Sequence, residues 1–340
     1  MAVRKRRGNT SAGVSSEKSP VLVDGHYLLM RNLMGTVRDD AKAQTFTGGT
    51  IGFISQLSTI LRLSAAPRVG PILVAFDTNP PPYRFEMVPN YKDRPRQTIV
   101  SEDDMRAALT QLADLCDILP LLGVKVVAYA DREADDVVAA GVRIAVAHGD
   151  TPIAVSGDKD LYQVVEYGAS LVRPGNLTRL ASLNFEDEVG VPPEMYVIYK
   201  CLVGDANDGM KGAPGVGHVN AQKLVKHYSM RVCADKVFTG LRGSVALFEL
   251  FLDCIAREQP DTKTSFAILE NRERLLQEMR CLDLRDSFGP TKGLERNLYA
   301  SRSFEPDEAW KQLSKLKCQG LLKDWERVIE PYRKAALLCA

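Results

Sequence analysis

Nine carboxylates fall in five short clusters along this chain of 340 residues. Asp24 closes Val21-Leu22-Val23-Asp24, and Asp77 closes Ile72-Leu73-Val74-Ala75-Phe76-Asp77. Glu133, Asp135 and Asp136 share Glu133-Ala134-Asp135-Asp136, Asp158 and Asp160 flank Lys159, and Asp205 and Asp208 lie in Gly204-Asp205-Ala206-Asn207-Asp208. Like charges repel and raise each other's pKa, so a site that gathers many of them needs a multivalent cation. Hard cations facing a phosphate substrate point to phosphoryl transfer. Each cluster also has a plainer reading. A single strand-end Asp is often a turn former or helix cap. Glu133 and Asp136, one helical turn apart, could merely complement a helix N-terminus. Asp158-Lys159-Asp160 could be a turn. Their repetition at one end of one sheet is what favours the metal reading.

The elements that would position these acids follow from periodicity. Val21–Val23, Ile72–Phe76, Val124–Tyr129, Ile153–Val155 and Ala169–Val172 read as strands. Continuous apolar runs of this kind suit a parallel sheet buried on both faces. Between them, Ile51, Ile54, Leu57 and Leu61 share a helical face, as do Met105, Leu109, Leu112, Cys116 and Leu119. Ser101 can N-cap the second helix, with acids at 102–104 in its first turn. The alternation predicts a three-layer α/β domain with a mainly parallel central sheet. Sites in such sheets form beyond the carboxyl ends of strands, where Asp24, Asp77 and Asp158 fall.

After about residue 185 the chain becomes mostly helical. Leu247, Leu250, Phe251 and Cys254 form one core stripe, and Leu275, Leu276, Met279 and Leu282 another. The expected organisation is a disordered basic tail over 1–19 and an α/β domain over 20–185. A second region over 186–260 and a helical region over 261–340, packing on the α/β domain, would follow. Arg4-Lys5-Arg6-Arg7 makes the tail either a solubilising segment or a nonspecific DNA-binding arm.

The chain is 45% hydrophobic and 26% charged, with net charge +1. The near-neutral sum hides a dipole, because metal-neutralised acids would leave a more basic surface. Apolar runs are too short to span a bilayer, and no apolar segment suggesting a secretory signal follows the basic start. The seven cysteines are odd in number and scattered, with no zinc spacing, which fits a reducing, cytoplasmic compartment.

Two further segments suit nucleic acid. Gly212-Ala213-Pro214-Gly215-Val216-Gly217-His218-Val219 fails as a phosphate-binding P-loop, because His218-Val219 stands where Lys-Ser/Thr is needed. It fails as a dinucleotide fingerprint too, but works as a helix–hairpin–helix whose second helix covers 219–228. Gly215, Val216, Gly217 and His218 would then offer a phosphate the free amides of a helix start. The bland alternative is an ordinary Gly-rich loop. Residues 79–100 interleave Tyr83, Arg84, Tyr91, Lys92, Arg94 and Arg96 among prolines that deny a regular helix. They would suit a passing single strand; alone they read as a solvated basic loop. His26 lies two residues from Asp24, near enough to reach the site, although local packing or capping is the plainer role.

Taken in order, these motifs resemble the structure-specific 5′-nucleases: flap endonucleases, the amino-terminal nuclease domain of bacterial DNA polymerase I, and phage 5′→3′ exonucleases. The resemblance covers roughly residues 20–230. It includes Ser156-Gly157-Asp158-Lys159-Asp160-Leu161-Tyr162-Gln163, and the free-standing form looks most like a phage or bacterial stand-alone enzyme. It implies a PIN-like fold with a helical arch at about 79–105 and a helix–hairpin–helix. All nine acids map onto the family's metal cluster. Tyr91, Lys92 and Arg94 match the arch segment that contacts the scissile phosphate, and Lys200 matches a basic position near the site. Two departures stand out. Gly209 replaces a common Asn, and Lys92 and Arg94 are only two apart, with Pro95 following.

The activity implied is hydrolysis of DNA phosphodiesters at 5′ ends, flaps or single-strand/duplex junctions. Two or more Mg²⁺ ions, about 4 Å apart and replaceable by Mn²⁺, would activate water and stabilise the leaving oxygen. Lys92 and Arg94 would stabilise charge on the phosphate, with Asp158 central to catalysis. K⁺ would sit at the hairpin, and the protein would act as a monomer. Three alternatives remain open at this level. An RNase H-like primer remover would cut RNA–DNA hybrids with the same acids. A structure-specific DNA-binding protein would use them without cutting. A metal-dependent small-molecule phosphatase would leave hairpin and arch without purpose.

Overall fold

Val21 and Val23 pack into one apolar cluster and Leu22 into another, because successive side chains of a strand point to opposite faces. All three are fully buried, so the run is continuously apolar instead of alternating. The structure, a computed structural model, describes residues 18–37, 47–64, 68–92, 102–239, 243–258, 262–285 and 292–338. The run belongs to β1 (Ser19–Asp24), followed in the chain by β2 (Val69–Ala75), β3 (Val124–Val127), β4 (Ile153–Val155), β5 (Ser170–Arg173) and β6 (Thr178–Leu180). They form one sheet in the order β3-β2-β1-β4-β5-β6. Every pairing is parallel except β5 with β6.

The chain builds outward from β1 through β2 to β3, then crosses back to lay β4 on the other side of β1. That reversal makes a switch point, where a crevice opens at the carboxyl ends of the strands. Asp24 is level with Ala75 of β2, and Val23 with Val155 of β4. Asp77 and Asp158 therefore emerge two and three residues beyond their strands, on either side of Asp24.

Among the described residues, fifteen α-helices accompany the sheet. The first are α1 (Gly25–Val37), α2 (Gly48–Leu63), α3 (Pro82–Met87), α4 (Glu102–Leu121), α5 (Ala134–Ala147), α6 (Phe185–Val189), α7 (Tyr196–Val203) and α8 (His218–Thr239). The rest are α9 (Ser244–Glu258), α10 (Lys263–Glu270), α11 (Arg272–Leu282), α12 (Lys292–Tyr299), α13 (Pro306–Lys315), α14 (Gln319–Leu322) and α15 (Trp325–Leu337). Phe53 and Leu57 of α2, Leu115 of α4, Leu313 of α13 and Tyr332 of α15 cover the face bearing Val21 and Val23. Val137 of α5, Ile198 of α7, Phe251 of α9 and Leu275 of α11 belong to the cluster that covers Leu22. The result is a three-layer α/β fold. Among the described residues, no helix is long and apolar enough to cross a membrane.

Several expectations change. The buried face of α4 carries Ala108, Leu115, Ile118 and Leu119, whereas Leu109 is 60% exposed and Cys116 is exposed. Of the expected stripe, Leu119 is fully buried and Leu112 packs against the core, but toward its start the buried side shifts to Ala108 and Leu115, because α4 contributes its apolar side to α13 and α2 as well as to the sheet. A short helix, α3, forms in the proline-rich stretch with Pro82 at its first turn, where a missing N–H costs nothing. The strand expected over Val124–Tyr129 ends at Val127, and the antiparallel β6 was unforeseen. Lys18 and Ser19, assigned to the tail, belong to the start of the central strand: Ser19 opens β1 and Thr151 N–H donates to Lys18 C=O. Residues 1–17 and, within the arch segment, 93–101 with Ser101 among them, lie outside the described residues. Within 261–340, α11 packs on α7, α9 and α3, while α12, α13 and α15 pack on the helices and strands of the sheet layers.

These packing assignments predict opposite outcomes for two leucines on one helix. Leu115→Ala should lower stability by about 2–5 kcal/mol, as loss of a fully buried leucine does. Leu109→Ala should stay within about 0.5 kcal/mol of the parent. Urea unfolding of the two variants measures both, and equal losses would rule out this face.

Candidate metal centre

Local hydrogen bonds fix the acids before any ion is considered. Asp24 ends β1, and its two oxygens accept Tyr27 N–H (2.9 Å) and Ser156 Oγ–H (2.8 Å). Asp77 caps the start of α5 by accepting Ala134 N–H at 2.7 Å. Its other oxygen lies 3.5 Å from His26 Nδ1, so His26 does reach the site. Glu133 is the N-cap of α5, in a reciprocal capping box with Asp136. Asp158 accepts Asp160 N–H (2.9 Å), and its own N–H donates to Ser156 Oγ (3.0 Å). Ser156 thus ties Asp24 to the Asp158 turn, a link unforeseen in the sequence.

Asp24, Asp77, Glu133, Asp135 and Asp158 line one cleft of about 510 Å³, together with Lys92. A second cavity of about 720 Å³ shares Asp158 and adds Asp205 and Lys200. Lys200, on α7, pairs with Asp160 and lies 3.3 Å from Asp205. The four sheet-end segments and the loop after α7 therefore converge on one place.

Crowding shows in the titration behaviour. Burial pushes the Asp24 carboxyl up to about 7, and Asp77 and Asp158 add to the rise. Burial also raises Asp158 and Asp208, against the opposing pull of Lys200 and Lys92 on the first and chiefly of Lys92 on the second. Asp135 is raised well above the carboxylate range by burial and by neighbouring Asp136. Glu133 moves the other way: its burial is outweighed by Arg84 and Lys92, which hold it below its ordinary value. Oxygen-only donors with raised pKa values suit a hard divalent cation, whose charge would favour the ionised carboxylates. One oxygen from each of Glu133, Asp135 and Asp136 lies within 4.8 Å of the others.

Some residues stand differently from the sequence reading. Arg84 is 2% exposed and faces inward, not toward DNA. It pairs with Glu133 and, at 2.6 Å, with Asp136, and the Tyr91 hydroxyl donates to Glu133 at 2.9 Å. Asp136 is fully buried, with one oxygen on Arg84 and the other accepting Glu133 N–H at 3.1 Å. Both its oxygens are occupied, so it holds Arg84 and caps α5 instead of facing the cleft. Lys92 pairs with Glu133. Arg94 and Arg96 lie outside the described residues. Lys200 is 8% exposed and lines the second cavity while paired with Asp160 and Asp205. Val216 is buried and its N–H donates to Ala213 C=O, so Gly215, Gly217 and His218 are what the hairpin turn presents. His218 Nδ1 is bonded to Tyr199 Oη at 2.7 Å.

The loop between α7 and α8 carries Asp205 and Asp208, and α11 holds it. Glu278 is 4% exposed and accepts Lys211 N–H and Gly212 N–H, each at 3.1 Å. Arg274 donates to Glu278 (2.6 Å) and to Gly212 C=O (2.7 Å). Nothing local in sequence connects an i,i+4 pair on a late helix to this loop. Gly209 explains one departure from the family pattern. Its φ is +75°, and a Cβ there would stand 2.3 Å from Asn90 C=O, so the acidic loop packs directly on the backbone leading to Lys92.

Two tests follow. Because Asp24 titrates near 7, a divalent cation bound at pH 6 should expel protons, and progressively fewer as pH rises past 8. Calorimetry in buffers of differing ionisation enthalpy reads this, and Asp24→Asn should reduce the release at pH 6. Unchanged release in that variant would remove Asp24 from the site. Glu278→Ala should weaken Mn²⁺ binding by about 10-fold, the scale of an outer-shell loss; an unchanged titration would leave α11 a purely structural clamp.

Comparison with known proteins agrees with this geometry. The sequence profile described as "5′-3′ exonuclease, N-terminal resolvase-like domain" matches residues 19–190. DNA polymerase I of Deinococcus radiodurans is 29% identical over 220 residues, covering 65% of this chain and 22% of the polymerase. DNA polymerase I of Mycobacterium bovis is 26% identical over 327 residues, covering 90% of this chain and 34% of the polymerase. The chain thus spans about a third or less of the length of these relatives. Among solved structures, a bacteriophage T5 flap endonuclease variant with DNA and metal ions superposes with TM-score 0.58 at 16% identity, covering 93% of this chain and all of that one. The catalytic core of Rad2 with a DNA substrate gives TM-score 0.56 at 12% identity, over 94% and 93% of the two chains.

Proposed function

Because this chain belongs to the 5′-3′ exonuclease family, we propose that it is a metal-dependent 5′→3′ exonuclease and flap endonuclease of DNA replication or repair. Its substrates would be 5′ ends, 5′ flaps and single-strand/duplex junctions. The observation that carries the proposal is the convergence of Asp24, Asp77, Glu133, Asp135 and Asp158 on one cleft that also holds Lys92.

The carboxylates fit two or more Mg²⁺ ions, with Mn²⁺ an alternative. Asp24, Asp77, Glu133, Asp135 and Asp158 would hold one group, and Asp158, Asp160, Asp205 and Asp208 the other. Such ions supply an activated water and charge stabilisation for the leaving oxygen. Lys92, which lines the cleft beside the carboxylates, would meet the phosphate. Arg94 belongs with it by resemblance. Arg84 positions Glu133 and Tyr91 from beneath. The turn at Gly215 and Gly217 and the first amides of α8 would grip duplex backbone, with K⁺ as the ion at that turn. We assign a monomer acting in the cytoplasm of a bacterial or phage-infected cell, where widely spaced free cysteines stay reduced. RNA–DNA hybrids are a second substrate class for the same acids.

Cleavage of a 5′-end-labelled flap duplex in Mg²⁺ tests this. One labelled product near the junction would establish flap cutting; labelled mono- or short oligonucleotides would establish exonuclease action. EDTA should abolish both, and Asp158→Asn should reduce cleavage by more than about 100-fold, beyond an outer-shell effect, while sparing most DNA binding. Full activity in Asp158→Asn would refute the metal assignment.

A further inference from the structure

The acid cluster lies between two cavities, not at the end of one. They share Asp158, and the second runs from the acids toward the α7–α8 turn. Its walls are unlike those of the first. Tyr162, Tyr196, Tyr199 and His218 succeed one another with ring centroids 5.6, 6.0 and 6.0 Å apart. Tyr196 is buried, and its hydroxyl is committed to Lys159 C=O at 2.8 Å. Tyr162 and Tyr199 are half-buried and His218 is exposed, so their rings line open space. A hydrogen bond between Tyr199 Oη and His218 Nδ1 links the outer pair.

We propose that this second cavity is a nucleoside subsite, which takes the nucleoside on the hairpin side of the scissile phosphate and stacks its base on Tyr199. The inference rests on the nuclease reading above. A phosphodiester held at the acids has a nucleoside on each side, and the space on the hairpin side is this cavity. At about 720 Å³ it lies in the range of small-ligand sites. One end is charged and metal-binding in type, and the body is aromatic, which matches the two halves of a nucleotide. Every base has a π-face, so stacking here would be tolerant of sequence, as an enzyme selecting structure requires. A purely core role would bury the rings, whereas Tyr162 and Tyr199 are only partly buried against the core cluster. Of the cations lining the cavity, Arg173 is paired with Glu188 and Lys200 with Asp160 and Asp205, which leaves Lys159, at the acid end, for the phosphate.

The test crosses protein with substrate. Single-turnover cleavage in Mg²⁺ is measured on flaps that carry an abasic residue at either nucleoside flanking the scissile phosphate, with Tyr199→Leu and Tyr199→Phe. On intact DNA, Tyr199→Leu should slow cleavage about 5- to 150-fold, the range that base stacking on an aromatic ring covers. Tyr199→Phe, which keeps the ring, should lose little. At one flanking position the abasic substrate should slow the parent protein to a similar degree, and there Tyr199→Leu should add nothing further. A loss in Tyr199→Leu that is the same on intact and both abasic substrates would overturn the subsite, as would no loss on intact DNA. Failure of the underlying nuclease reading shows separately, as a parent protein that leaves every substrate uncut.

Discussion

Mutual repulsion among carboxylates is the constraint the rest of the molecule answers to. Burial raises Asp24, Asp135, Asp158 and Asp208, and each makes its neighbours harder to ionise. The fold offsets this with cations drawn from three separate segments. Arg84 comes from α3, Lys92 from the turn after it, and Lys200 from α7. Removing one partner of such a buried pair is strongly destabilising, whereas the intact pair adds little net stability. The arrangement is therefore better understood as holding charge in place than as gluing the fold together. Divalent ions would complete a balance that the protein's own cations only begin.

The sheet explains why these charges meet at all. β1 lies at the centre, and the return to β4 leaves Asp24 flanked by the ends of β2 and β4. Ser156 and the capping interaction of Asp77 then set side-chain direction. Farther out, the α7–α8 loop depends on Glu278 and Arg274 from α11 and on the tight seat of Gly209 against Asn90. The centre is thus supported from both sides of the chain's midpoint.

Much of this was legible in sequence, for a physical reason. Continuous apolar runs and acids at their ends are local signals, and they located β1, β2, β4 and the carboxylates with no three-dimensional knowledge. What was missed depends on partners distant in the chain. Arg84 looks like a DNA contact beside Tyr83 and Tyr91, and only the arrival of Glu133 and Asp136 makes it a buried counter-ion. The phase of α4 could not be read because α13 and α2 share its apolar side. Val216 reads as part of an exposed turn, yet it drops into the core once α7 and α8 pack together.

The position of α15 carries a consequence for synthesis. Its Tyr332 is fully buried, and the hydroxyl bonds to the carbonyl of Ile54 at 2.9 Å, across 278 residues of sequence. Ala335 lies against Gly70 at the start of β2. The layer over the first strands therefore stays unfinished until α15 has been synthesised. During translation, α2 and one face of β1 and β2 must wait with apolar surface uncovered. Long-range closure of this kind slows folding, and an exposed intermediate is prone to aggregate. Disruption of α15 would thus be felt far away in sequence, in the strand that carries Asp24.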